Sequence, residues 1–177
     1  MSEFARPVRL DEIGAVPVAR HIAAGAAERA AVAQRLGLLQ LGRLAAALHV
    51  RRIAGGVAVA GQVEAEGAQA CALTGLPVPA RIAEPVDVRF LAGAAPIAQD
   101  IELATDDLDT LPLEGSAVDL GELAVQTLAL ALPPFPRATG PEAEAARALL
   151  LSEEEAAARV EADRCAASPF AGLARPR

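Results

Sequence analysis

"GVAVAGQVEAEGAQACAL", residues 56–73, alternates with a period of two. Val57, Val59, Gly61, Val63 and Ala65 fall on one side, with Gln62, Glu64 and Glu66 on the other. Successive side chains of a strand point to opposite faces, so this spacing predicts a strand with one dry and one wet face. Its neighbours repeat the pattern. Upstream runs "RLAAALHVRRI" (43–53); downstream, "PVDVRFL" (85–91) sets Val86, Val88 and Phe90 against Asp87 and Arg89. Gly55-Gly56 between the first two runs predicts a hairpin turn, because Gly tolerates the positive φ that tight hairpins need. An antiparallel sheet with one solvated face follows.

Working outward, "EFARPVRLDEI" (3–13) predicts a short edge strand, since Pro7 would remove a donor from an interior ladder. "AAERAAVAQRLGLLQL" (26–41) predicts a helix with Val32, Leu36 and Leu39 on one stripe, which Gly37 ends or loosens. Beyond an acidic connector, "DLGELAVQTLALALPPFP" (119–136) carries a capping box. Asp119 accepts from exposed N–H groups and Glu122 reaches back, until Pro133-Pro134 stops the helix. Its apolar stripe of Leu120, Leu123, Ala124, Thr127, Leu128 and Ala131 is expected on the dry face of the sheet. "TGPEAEAARALLLSEEEAAARVEADR" (139–164) predicts an Ala-rich helix with Ser152 and Glu155 as a second capping pair.

The fold expected is therefore α+β. An antiparallel, strongly twisted sheet of about five or six strands carries an N-terminal helix, a packed helix after the acidic connector and a C-terminal helix. Residues 1–140 are expected to form one domain and 141–177 a helical extension, mobile for want of large anchoring residues.

Composition narrows the function. The net charge of −7 opposes indiscriminate nucleic-acid binding, which needs a basic face to displace counterions. The charge is uneven: residues 1–60 carry a balance of +4 and residues 61–177 a balance of −11. No run approaches the roughly 20 apolar residues of a membrane span, and the charged, Pro-broken start does not resemble a secretory signal. A cytoplasmic protein without a membrane partner is expected.

Bond-making groups are scarce. A nucleophilic thiol wants a base and a positive neighbourhood, and nothing local places His21 or His49 beside Cys71. Cys71 and Cys165 lie far apart and give no metal spacing, so no metal, cofactor or small-molecule substrate is expected. Asp106, Asp107 and Asp109 lack the Gly and Glu offsets of a calcium loop; their charge suits steering of a basic partner. Arg43, Arg51 and Arg52 flank the first long strand, with Arg81 and Arg89 further on. All five are candidate contacts to RNA or a partner, and Arg51, Arg81 and Arg89, gathered on the wet face, could contact phosphates. The alternative is cross-strand pairing with Glu64, Glu66 and Asp87. The lack of Trp and Tyr leaves little platform for stacking bases.

Five segments occur in order: "FARPVRLDEIG", "AAERAAVAQRLGL", "GVAVAGQVEAEGAQACALTGLPVPARIAEPVDVRF", "AVDLGELAVQTLALALPPFPR" and "SPFAGLA". Together they resemble the YceD family of large ribosomal RNA subunit accumulation proteins, in its alphaproteobacterial branch, over nearly the whole chain. The resemblance implies a non-enzymatic ribosome-biogenesis factor supporting synthesis, processing or stability of large-subunit rRNA. Its partner would be that rRNA or the pre-ribosomal particle, met directly or through a basic ribosomal protein for which the chain is an acidic adaptor or chaperone. Many relatives carry a second Cys three residues after the first, and some add a Cys-rich C-terminal cluster that looks metal-binding. Here Thr74 takes that position, which favours a structural Cys71.

Overall fold

The computed structural model describes residues 2–92 and 110–167. Three long strands dominate: β3 (Gln40–Ile53), β4 (Gly56–Ala70) and β5 (Pro77–Leu91). They pair antiparallel in sequence order. The edge strand β2 (Val18–Ala23) flanks β3, and the short β6 (Thr110–Pro112) flanks the end of β5, giving the order β2-β3-β4-β5-β6. A separate two-stranded sheet joins β1 (Pro7–Arg9) to β7 (Ala117–Asp119).

The long strands and their alternation are as the sequence predicts, and the differences have physical causes. The sheet is mixed, because β6 runs parallel to β5. A tight turn would enforce an antiparallel neighbour, whereas the connector of residues 92–109 has the length a crossover needs. The turn between β3 and β4 is Ala54-Gly55: Ile53 pairs with Gly56, and Gly55 alone takes positive φ, +76°. Strand β2 has no counterpart in the expectation. Its alternation is broken, with Arg20 between Val18 and Ile22 on the core side and Ala19 and Ala23 beside His21 on the wet side, so apolar periodicity does not mark it.

Helix α1 (Ala26–Leu36) ends at Gly37, whose φ of +66° forms a left-handed cap. Leu39 therefore leaves the expected stripe and is 55% exposed on the approach to β3. Helix α2 (Leu120–Ala131) lies over β4 and β5. Leu44, Leu48, Val59, Val63 and Val86 meet Val32 of α1 and Leu123, Ala124 and Leu128 of α2 in one buried core. The same core holds Phe4 at 0% exposure.

Asp119 caps α2 as expected, accepting from the N–H of Gly121 at 2.9 Å and of Glu122 at 3.2 Å. It also accepts from the N–H of Arg6 at 2.7 Å, which ties β1 to the helix start. Gly121 lies against the Phe4 carbonyl so closely that a Cβ there would come within 1.7 Å of the oxygen. Glu122 does not reach back to the cap. Arg35 of α1 holds its carboxylate at 2.7 and 2.9 Å and also bonds Glu3 at 2.9 Å. That guanidinium lowers the Glu122 carboxyl to about 2. Arg6 grips Glu28 of α1 through both guanidinium nitrogens, at 2.8 and 2.9 Å, and lies 4.5 Å from the centre of the Phe4 ring.

The C-terminal stretch forms two helices, α3 (Pro141–Arg147) and α4 (Glu153–Ala167), where one was expected. Ser152 and Glu155 exchange both bonds of a capping box and so start a new helix at that point. Helix α3 buries Ala143 against Cys71, while α4 buries nothing.

Candidate nucleic-acid interface

Both α1 and α2 pack on the core side, and no described helix lies on the other face of the sheet. Register fixes what that face carries. One row runs Arg43–Glu66–Arg81 across β3, β4 and β5, and another runs Arg51–Ala58–Arg89. At about 3.3 Å per residue the two rows lie roughly 26 Å apart along β3, and each Arg pair spans about 10 Å, two strand spacings. Between them the face is low and Ala-rich. A shallow depression of about 360 Å³ is lined by His21, Ala45, Ala47, Gln62 and Glu64, and one of about 230 Å³ continues it toward Arg81.

Four of the five candidate arginines therefore share this face; Arg52 does not. Its side chain lies on the core side, donating Nε to the Ile13 carbonyl at 3.1 Å and Nη2 to that of Leu10. Arg52 holds the N-terminal turn, on the side of the sheet away from the other four. The pairing alternative is seen at Arg43, which meets Glu64 at 2.8 Å, both half-exposed. Screened surface pairs of this kind are weak, contributing up to ~1 kcal/mol, so a phosphate can compete for the guanidinium. Asp106, Asp107 and Asp109 lie outside the described residues.

Two histidines also lie on this face, of which only His49 was foreseen. His21 lies opposite Ala47 on β2, one diagonal step from His49, which lies opposite Ala19. His49 was legible from the alternation of β3; His21 was hidden with the rest of β2.

Cys71 belongs to a different place. It is 5% exposed, in a cluster with Ala138 and Ala143 beyond the end of β4. Its Sγ accepts from the N–H of Ala138 at 3.3 Å. That bond leads, with the Thr74 hydroxyl and the Leu73 and Thr74 amides adding to it, in lowering the thiol to about 6. The row holding His21 crosses β4 at Gln62, eight residues or roughly 26 Å before Ala70. Thiol and imidazoles therefore do not form a dyad. Thr74 Oγ1 accepts from the Leu76 N–H at 3.3 Å, closing the turn on itself. One thiol and a committed hydroxyl do not fit a metal centre of the kind the resemblance suggests. Among the described residues no group of three His, Cys, Asp or Glu side chains is placed to hold an ion. No described helix is long and apolar enough to cross a membrane.

A family model described as large ribosomal RNA subunit accumulation protein YceD matches residues 59–175, well over half of the chain. The chain belongs to the YceD family. No curated protein and no solved structure gives a match. The YceD match begins inside β4 and takes in Cys71, Arg81, Arg89 and all of α2, while Arg43, Arg51 and β1 to β3 precede it. Family membership carries with it a role in accumulation of the large ribosomal RNA subunit.

Proposed function

We propose that this YceD protein is a cytoplasmic, non-enzymatic ribosome-biogenesis factor that holds large-subunit rRNA on the sheet face opposite α1 and α2. Arg43, Arg81, Arg51 and Arg89 contact phosphates, and the Ala-rich floor between them lets a bulky backbone approach. The observation that carries this reading is the register, which puts all four arginines, in two separated pairs, on the face of the sheet that no described helix covers. The remoteness of Cys71 from both histidines supports action through surface contact.

A second reading keeps the pathway and changes the partner to a basic ribosomal protein, for which the chain is an acidic adaptor. The exposed acids of α4, Glu153, Glu154, Glu155, Glu161 and Asp163, support it, with Asp106, Asp107 and Asp109 as further steering charge. One substitution separates the two by sign. Glu64→Gln releases Arg43 and removes a negative charge, so affinity for large-subunit rRNA fragments should rise. Arg43→Ala with Arg81→Ala should lower it roughly tenfold, the loss of one or two charge-assisted contacts. If Glu64→Gln leaves RNA binding unchanged but weakens capture of a purified basic ribosomal protein, the adaptor reading stands and the RNA face falls.

A further inference from the structure

The two edges of the five-stranded sheet are unlike. On β5, Pro77, Pro79 and Pro85 lie opposite Ala70, Ala68 and Gln62. A proline has no N–H to give β4, so the odd-numbered residues of β5 direct their backbone groups to the free edge. Prolines thus remove half of the outward donors between residues 77 and 87, leaving those of Arg81, Ala83 and Asp87. This edge is blunted against a further strand.

The same phase carries across the ladder to β2. Ala24 N–H bonds the Leu44 carbonyl at 2.9 Å and Arg52 N–H bonds that of Gly14 at 2.7 Å, so even-numbered residues of β3 face β2. Their partners Val18, Arg20 and Ile22 are consumed in the ladder. Ala19, His21 and Ala23 therefore aim N–H and C=O away from the sheet. All three are exposed. The Ala23 carbonyl takes a long bond from Arg6 at 3.4 Å, while the backbone groups of Ala19 and His21 have no outward partner among the described residues. No proline, lysine or bulge protects Val18–Ala23.

Beside this edge sits a cation with one shielded donor left over. Arg20, opposite Leu48 on the core side, is half-buried, and its Nε is shielded from solvent without a hydrogen-bond partner among the described residues. A strand laid against β2 would bring a side chain within about 5.5 Å of Arg20 on the same face. A carboxylate there would meet the guanidinium in a charge-assisted pair. We propose that β2 is a docking edge that takes an extended acidic segment of another protein as a sixth strand. A second copy of this chain does not suit. Residues 13–27 contain no acid, and β2 against β2 would bring two Arg20 and two His21 together.

The test uses the full chain, isotope-labelled, with the blocked peptide Thr-Val-Glu-Thr-Val-Thr as probe. Saturable amide shifts should centre on Ala19, His21 and Ala23, with exchange of the Ala19 and His21 amides slowed roughly tenfold at saturation. A peptide N-methylated at alternate residues should not bind, which leaves the protein itself untouched. His21→Pro, which repeats on β2 the device of β5, should abolish binding too. Changing the peptide Glu to Gln, or Arg20→Gln in the protein, should weaken binding about fivefold. Absence of β2 shifts at millimolar peptide, shifts that survive N-methylation, or shifts confined to β5 would each overturn the docking edge. Equal binding of the Glu and Gln peptides would overturn its acidic specificity.

Discussion

At Cys71 a buried thiol does a structural job that depends on its protonation. The Ala138 amide, ahead of the Thr74 hydroxyl and the Leu73 and Thr74 amides, stabilises the thiolate and brings the group down to about 6 from an ordinary 9.0. Between those values the folded protein has released a proton that the unfolded chain retains, so stability rises with pH across this window. The gain is complete above about pH 9 and is lost as pH falls through 6. Chemical denaturation of the wild type and Cys71→Ala at pH 6 and pH 9 checks the sign: the gap between them should widen at the higher pH. A constant gap would mean that the sulfur merely fills space. The fixture matters beyond one residue, because the bond to Ala138 fastens the segment after α2 to the turn between β4 and β5.

Among the elements, α2 shows best how local chemistry and tertiary placement combine. Asp119 satisfies two orphan donors of the helix and the Arg6 amide with one oxygen. Asp119→Ala should cost about 1 kcal/mol as a lost cap, and more here because the Arg6 donor is stranded as well. Urea unfolding with an unchanged m-value measures it; a loss near zero would show that water replaces the cap. The start and stop of α2 were legible because caps and prolines act over three or four residues, as were the long strands, whose alternation spans many. What escaped the sequence depends on partners far away. Glu122 has the spacing to close a capping box, yet Arg35, distant in sequence, outcompetes the local amide. Arg52 shares the strand phase of Leu48 and Val50, so alternation already sets it on the core side; the carbonyls of Leu10 and Ile13 that hold it there are what no local pattern shows. Strand β2 was invisible because its large charged residue faces inward and its small apolar ones face out. The parallel β6 was equally hidden, since local pattern says nothing of the direction in which a long connector returns. Of the five candidate arginines, periodicity alone was enough to group four.

On the scale of the whole molecule, the proposed RNA face sets four arginines beside Glu64, Glu66 and Asp87, within an acidic body of net charge −7. Screening length decides which of the two a polyanion meets. At about 0.15 M ionic strength charges beyond roughly 8 Å are screened, whereas at about 0.01 M the reach is roughly 30 Å and the entire acidic surface repels RNA. Four guanidinium contacts of the kind proposed would release counterions with a log–log slope of about −3. The binding constant for a large-subunit rRNA fragment should therefore fall steeply above physiological salt and flatten toward low salt, where repulsion offsets the gain. Arg51→Ala with Arg89→Ala should halve the steep limb to about −1.5 while leaving the low-salt flattening in place. Arg52→Ala, on the opposite side of the sheet, should loosen the N-terminal turn without altering the slope. A slope that is the same in wild type and the Arg51/Arg89 double variant would place the phosphate contacts elsewhere on the molecule.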